Sequence, residues 1–314
     1  FEFLFDLIKK TIDWKQGPKI GLLNGDYYEV FNTPKNYFLY IIAYRLPFYF
    51  TLLTIASFIL LVLGRLNTGN EIKNFNQKFF LISLVAFFPI LLVLILSVNV
   101  YDNLRLFLFI IPLLCIIASF SLDYFIKTFR DSIFIKISSL TLLALFLLSF
   151  YRFIMLTPYQ YTYVNYTHPS LGESVEKFEH DYWATSYKEL VNNMKNKFSK
   201  EEIQEFKIAD CYGMDSTLLY YLNKNFGVKR LYNIDERPLR ATHIVLTNRT
   251  FLNAMNNPDV KDLVNEKGVM LLSDLEKIVR APNVKTTCFR QYSGKDEVLV
   301  SRDGAALSIL RKLD

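Results

Sequence analysis

Histidine and cysteine are scarce in this chain, three of each in 314 residues. His168, His180 and His243 stand at no metal-ligand spacing with one another or with the cysteines, so they read as satisfied or exposed side chains. No Ser/His/Asp or Cys/His set can be assembled from adjacent signals, which excludes a hydrolase reading. A glycine-rich phosphate fingerprint is missing too. The strand-like Phe206–Cys211, then Gly213 and a helix near Ser216, reads as a plain βα connection. There is no run of like charge and no basic–aromatic interleaving, so the net charge of +6 points to loops beside anionic headgroups and not to a nucleic acid. The first ten residues lack the basic flank and apolar core of a signal peptide, and residue 1 is Phe. The expectation is a chain that forms the C-terminal part of a longer protein.

What the sequence has in abundance is apolar and aromatic residues, 52% hydrophobic with 28 Phe and 20 Tyr. Four runs, Leu46–Leu63, Phe79–Val98, Leu106–Leu122 and Ile137–Met155, approach the ~20 apolar residues that cross a bilayer as a helix. None has a polar face, so none suits a soluble core. The spacing predicts a short interfacial helix over 36–45, a break near Pro47, and then the first span, with Arg45 at headgroup level. Arg65, Lys73 and Lys78 bracket the first connection, and Lys127, Arg130 and Lys136 mark the third. The positive-inside rule puts both in the cytoplasm and everything after residue 156 outside. Cys115, inside the third run, reads as a small packing residue.

Beyond residue 157 the composition turns mixed and charged. Ser186-Tyr187-Lys188-Glu189 reads as a capping box opening an amphipathic helix through Tyr187, Leu190, Val191, Met194 and Phe198. Phe206–Cys211, Val228–Tyr232 and His243–Thr247 read as strands, and Glu297–Arg302, Asp303-Gly304, Ala305–Arg311 as a type I′ hairpin. Cys211 and Cys288 are either two buried thiols, the preferred reading, or one disulfide if this domain is extracytoplasmic. Asn165-Tyr166-Thr167 and Asn248-Arg249-Thr250 match glycosylation sequons. The fold class expected is a multi-span α-helical membrane region followed by an α/β extracytoplasmic domain with a mixed sheet. Its parts are an external loop over 1–45, four helices over 46–156 and the domain over 157–314.

Three stretches carry a family resemblance. Asn32-Thr33-Pro34-Lys35-Asn36-Tyr37 leads to Arg45-Leu46-Pro47; Val100-Tyr101-Asp102-Asn103-Leu104-Arg105 continues through Phe109; and Pro158-Tyr159-Gln160-Tyr161 runs through Asn165 to Phe178-Glu179-His180-Asp181-Tyr182-Trp183 and Ser186-Tyr187. In order and spacing they resemble the lipid-linked-sugar glycosyltransferases of the GT-C superfamily, particularly bacterial relatives of the protein-mannosyltransferase and aminoarabinose-transferase group. Asn103 stands where that group has Gly, and Leu106 where it has His. The resemblance implies an integral protein of the bacterial inner membrane with its last domain in the periplasm. It also implies a polyprenyl-phosphate-linked sugar as donor, an external glycan, lipid or protein as acceptor, and no firmly implied cofactor. The superfamily's catalytic acid lies in the first external loop, which is expected upstream of Phe1.

That reading makes Arg105 and Arg45 the candidate ligands of the donor phosphate, since a guanidinium offers it bidentate, charge-assisted hydrogen bonds. Arg105 can instead pair with Asp102 and cap the third span, and Arg45 can be a snorkelling anchor. Tyr101, Asn103, Tyr159 and Tyr161 are candidate substrate-lining residues, with an interfacial aromatic belt as the tyrosines' alternative. Asp181 and Trp183 can hold a sugar hydroxyl and its apolar face, or pack and cap the domain. A membrane-anchored extracytoplasmic binding or sensor protein is the alternative function, and apolar span interiors argue against a transporter subunit.

Overall fold

The computed structural model describes residues 20–29, 33–64, 66, 75–96, 100, 104–128, 133–167, 171–175, 177–181, 183–211, 214–234, 240–247 and 288–314. The chain divides into two compact units. The first comprises residues 1–19, 30–154 and 163–169; the second comprises 20–29, 155–162 and 170–314.

The first unit is helical. Helix α1 (Tyr37–Arg45) stops where proline dictates: Pro47 has no N–H to donate and drives Leu46 to extended φ/ψ of −93° and 148°. Helix α2 (Phe48–Val62) leaves at a bend of 120°. Helix α3 (Phe75–Leu96) follows, then a 3-10 turn over Arg105–Ile110 that runs into α4 (Ile111–Thr128), and finally α5 (Ile133–Met155). Three helices, Gln77–Ile95, Arg105–Thr128 and Lys136–Met155, are long and apolar enough to cross a membrane. The expected fourth span does not stand alone. At 15 residues α2 reaches only ~22 Å, short of a ~30 Å hydrocarbon core, and the count reaches four only if the bent α1–α2 pair is one span.

The α2–α4 contact is made by small and hydroxylic residues. Ser57 Oγ donates to Ile117 O at 2.6 Å, Ser121 Oγ to Leu53 O at 2.7 Å, and Ser121 N to Ser57 Oγ at 3.1 Å, beside buried Ala118. Small side chains let helix backbones approach where no hydrophobic effect pushes them together. Cys115 departs from expectation: it lies exposed on α4 and not in the packing.

The second unit is built on a mixed sheet. Its elements are β1 (Ile20–Leu23) and β2 (Asp26–Glu29), which form a separate hairpin, then α6 (Leu171–Ser174), α7 (Tyr187–Lys195), α8 (Lys200–Glu205), β3 (Ile208–Asp210), α9 (Asp215–Phe226), β4 (His243–Thr247), α10 (Cys288–Gln291), β5 (Gly294–Arg302) and β6 (Ala305–Leu313). The four strands lie in the order β3-β4-β6-β5, with β3 and β4 parallel and the other pairs antiparallel. Asp303 and Gly304, at φ 46° and 79°, make the expected primed turn between β5 and β6. Helix α7 buries Tyr187, Leu190, Val191 and Met194 and packs against β5, β6 and α9. A second buried cluster joins Ala209, Ile244, Leu246 and Ile309 to Tyr292 and the two cysteines.

Three local expectations need correction. Cys211 and Cys288 are disulfide-bonded, with Cα atoms 6.0 Å apart across a sequence separation of 77, so they are not two thiols. Ser186 does not close a capping box. Its backbone is already helical at φ −71° and ψ −12°, away from the extended conformation that aims an N-cap oxygen at the first-turn N–H groups; its hydroxyl donates to Asp181 Oδ2, and Glu189 is engaged elsewhere. The capping box that does form is Ser199 with Glu202, at the start of α8. Val228–Tyr232 contributes only a single bridge, Tyr232 beside Ala209, and not a strand.

Candidate functional site

Within the helical unit, the second resembling stretch and Asn165 of the third each border the segment that holds the first and α1; the rest of the third belongs to the α/β unit. At the start of α1, Thr33 Oγ1 accepts from Val100 N at 3.0 Å. One turn on, Phe38 meets Phe107 edge-to-face with centroids 4.5 Å apart. Phe107 itself sits at φ −122°, ψ 16°, a break in helical geometry that gives the 3-10 turn its shape. At the other end of α1, Asn165 supplies what the proline break removed. Its amide donates to Ala43 O and to Leu46 O at 2.8 Å, and its main-chain N donates to Tyr44 O at 2.8 Å. Carbonyls at a helix C-terminus have no intrahelical donor, so this side chain closes the end of α1. Its Oδ1 accepts from Thr167 N at 3.0 Å.

Two arginines share that end. Arg45 Nη1 donates to Tyr163 O at 2.9 Å and Arg152 Nη1 to Asn165 O at 3.1 Å, and both side chains are buried. Arg152 also lies over the Tyr166 ring, 5.0 Å from its centroid. Arg45 is therefore held inside the unit and not laid along a headgroup surface. Arg105, in contrast, is exposed at the head of the 3-10 turn, two residues before Phe107. Helix α1, ~13 Å long, thus carries a cation near each end, exposed Arg105 by its start and buried Arg45 and Arg152 by its finish. Tyr101, Asp102 and Asn103 lie outside the described residues, so the Asp102–Arg105 pair does too.

The remaining candidates belong to the α/β unit. Tyr159 is buried and its hydroxyl donates to Glu189 Oε2 at 2.8 Å. Arg302 reaches the same carboxylate with two donors, at 3.1 and 2.8 Å, donates from Nε to Thr157 O at 3.2 Å, and lies 5.0 Å over the Tyr159 ring. Burial first, then the Glu189 contact, holds the Tyr159 phenol well above its ordinary range. Burial pushes the Glu189 carboxyl up, but the Arg302 and Tyr159 hydrogen bonds outweigh it and the net direction is down.

Tyr161 donates to Asp181 Oδ1 and lies 2.5 Å from Thr185 Oγ1. Asp181 is fully buried and also accepts from Thr185 N at 2.9 Å, Ser186 N at 3.1 Å and Ser186 Oγ. These bonds fasten the approach to α7, a clamp where a sugar-binding carboxylate was one expectation. Trp183 is exposed two residues along. His180 bonds Ser174 Oγ at 2.8 Å, and His243 sits between Thr242 and Glu297. His168 and the second sequon lie outside the described residues. No three His, Cys, Asp or Glu side chains group to hold a metal among the described residues.

Two residues here were not among the candidate site residues. Asn165 stood in a sequon and in the third resembling stretch, yet both ends of its amide are spent on protein partners. Arg152 carried no sequence signal of a role. No family model matches the chain, and no curated protein or solved structure is significantly similar to it.

Proposed function

We propose that the chain is the C-terminal part of an integral-membrane glycosyltransferase that moves a sugar from a polyprenyl phosphate to an external acceptor. The observation that carries this reading is the convergence of the second resembling stretch and Asn165 of the third on the first and α1, through Thr33–Val100, Phe38–Phe107 and Asn165 with Ala43 and Leu46. Exposed Arg105 is the residue that meets the donor phosphate and stabilises charge as that phosphate leaves. Arg45 and Arg152 act from behind by fixing the C-terminal end of α1. A general base on the acceptor completes an inverting displacement, and none is assigned to a residue of this chain.

The disulfide supports placing the α/β unit in the periplasm, because such bonds persist on the oxidising side of a membrane. The bacterial inner membrane then holds the three long helices. Arg105→Ala, made in the intact protein and assayed for donor binding and transfer, should weaken donor affinity about tenfold or more, the effect of deleting one charge-assisted contact. Unchanged affinity and unchanged turnover would remove Arg105 from the site and leave the membrane-anchored binding protein as the better reading.

A further inference from the structure

One end of the four-stranded sheet gathers positive charge that, among the described residues, is not paired with carboxylates. Lys207 opens β3, Lys312 ends β6 opposite His243, and Lys295 begins β5 opposite Lys312. Arg240 lies two residues before Thr242, whose main-chain N donates to Lys207 O, and Arg230 lies two before Tyr232, whose N donates to Ile208 O. All five are exposed, and none of them forms an ion pair among the described residues. Of the nearby carboxylates, Asp296 and Glu297 are taken by Arg311 and His243, and exposed Glu205 and Asp314 leave the five cations in excess. Neighbouring strands are only ~4.8 Å apart, and like charges directly opposite each other, as Lys295 and Lys312 are, cost stability.

Aromatic rings interleave with these cations. Phe198 meets Phe206 edge-on at 5.2 Å, Phe206 stacks on His243 at 3.8 Å, Lys197 Nζ lies 5.0 Å over Phe198, and Arg230 lies 5.1 Å over Tyr232. The neck residues Thr157 and Tyr159 attach at Arg302, the opposite end of β5, nine residues or roughly 30 Å along the strand.

We infer that this end of the sheet binds an anionic glycan, a sugar polymer bearing repeated carboxylate or phosphate groups. Rows of cations with half-exposed rings between them match charged groups alternating with the apolar faces of sugars. The disulfide sets the site on the oxidising side, where a nucleic acid is not the available polyanion. The rings set among the cations favour a sugar polymer over an anionic lipid surface, which offers charge without apolar ring faces. The inference goes beyond transfer at Arg105 and stands without it, since it uses none of the same residues.

The test is binding of the full chain in neutral detergent to polygalacturonate, with dextran as the uncharged polymer and sn-glycerol 3-phosphate as the water-soluble lipid headgroup. Polygalacturonate should bind with an affinity that falls steeply with salt, and dextran should not bind. Lys207→Gln, Arg230→Gln, Lys295→Gln and Lys312→Gln together should weaken that binding about tenfold or more, as loss of several anion contacts does. A control quadruple, Lys177→Gln, Lys188→Gln, Lys195→Gln and Lys224→Gln, removes the same charge from other exposed positions and should leave affinity within about twofold. An equal loss in both variants, no polygalacturonate binding, or tighter binding to glycerol 3-phosphate than to the polymer would overturn the assignment.

Discussion

Helix α5 and strand β6 invert each other. On α5 the exposed residues are Leu140, Leu143, Leu147 and Phe150, while Ser149 and Arg152 are buried; on β6 Leu307 and Leu310 are buried while Lys312 is exposed. The same split holds across the two units. The helical unit coheres through Ser57, Ser121, Asn165 and two arginines, and the α/β unit coheres through Tyr187, Leu190, Val191, Met194 and the cluster around the disulfide. Each unit puts outside what its solvent accepts, hydrocarbon for one and water for the other; both bury apolar side chains, Phe79, Ile110 and Ile117 in the first and Leu190, Met194 and Leu310 in the second, but only in the first does the outside match the inside. Stability therefore resides in different chemistry on the two sides of the neck.

The largest test of that contrast is covalent. Replacing both cysteines, Cys211→Ser with Cys288→Ser, frees a 77-residue separation and should cost the α/β unit about 4 kcal/mol in a chain-entropy account. Urea unfolding in detergent, followed by Trp183 fluorescence in a Trp14→Phe background, measures it, and helix content should be unaffected. Next comes a matched pair. Leu310→Ala, in the buried face of β6, should cost about 3 kcal/mol, and Leu143→Ala, on the outer face of α5, less than about 1 kcal/mol. Equal costs would mean that the outer face of α5 is covered by protein and not by lipid.

Much of this division was legible. The apolar runs, the Pro47 break and the Asp303-Gly304 hairpin follow from local rules that act within a few residues, so the sequence carries them. The first run was placed well, since the helix over Phe48–Val62 lies within Leu46–Leu63, but the letters do not show that it leaves α1 at a bend of 120°, so that it counts as a span only together with α1. The misreadings share a cause: each involves a partner far away in the chain. Glu189 looks like a capping residue until Arg302, 113 residues later, takes its carboxylate. Asn165 looks like a sequon until the carbonyl of Leu46, 119 residues earlier, takes its amide. The basic end of the sheet is scattered between residues 207 and 312 and has no sequence signature at all. Of the buried arginines beside α1, Arg45 was singled out from the expected span ends, while Arg152, whose partner Asn165 lies 13 residues on, was not.

The helical unit can be probed at its polar knot. Asn165→Ala removes donors to Ala43 O and Leu46 O and leaves buried acceptors unsatisfied, for a cost of about 1–3 kcal/mol. Ser121→Ala removes one interhelical bond to Leu53 O and should cost only about 0.6 kcal/mol, the mean for such bonds inside membranes. Thermal unfolding of the full chain in detergent ranks them. If Ser121→Ala proved the costlier, the α2–α4 contact and not the neck junction would be the unit's keystone.

The smallest expected effect separates the units by acid. His243 has its imidazole pKa lowered by burial first and by the neighbouring Lys312 charge, against an upward pull from Glu297. A lowered histidine means that the unfolded chain binds the extra proton first. Stability is therefore whole above the ordinary value of 6.5 and is lost as pH falls from there through the lowered folded value. Glu189, also lowered, acts in a second window: its contribution is whole above 4.5 and is lost as pH falls through its folded value. Urea midpoints of the α/β unit between pH 8 and pH 4 should thus stay level and then decline in two stages, while the helical signal does not follow. His243→Asn should erase the upper stage alone. Glu297→Gln should enlarge it, because it removes the one neighbour that favours the protonated ring. If the upper stage survived His243→Asn, the first acid-sensitive group would lie elsewhere in the unit.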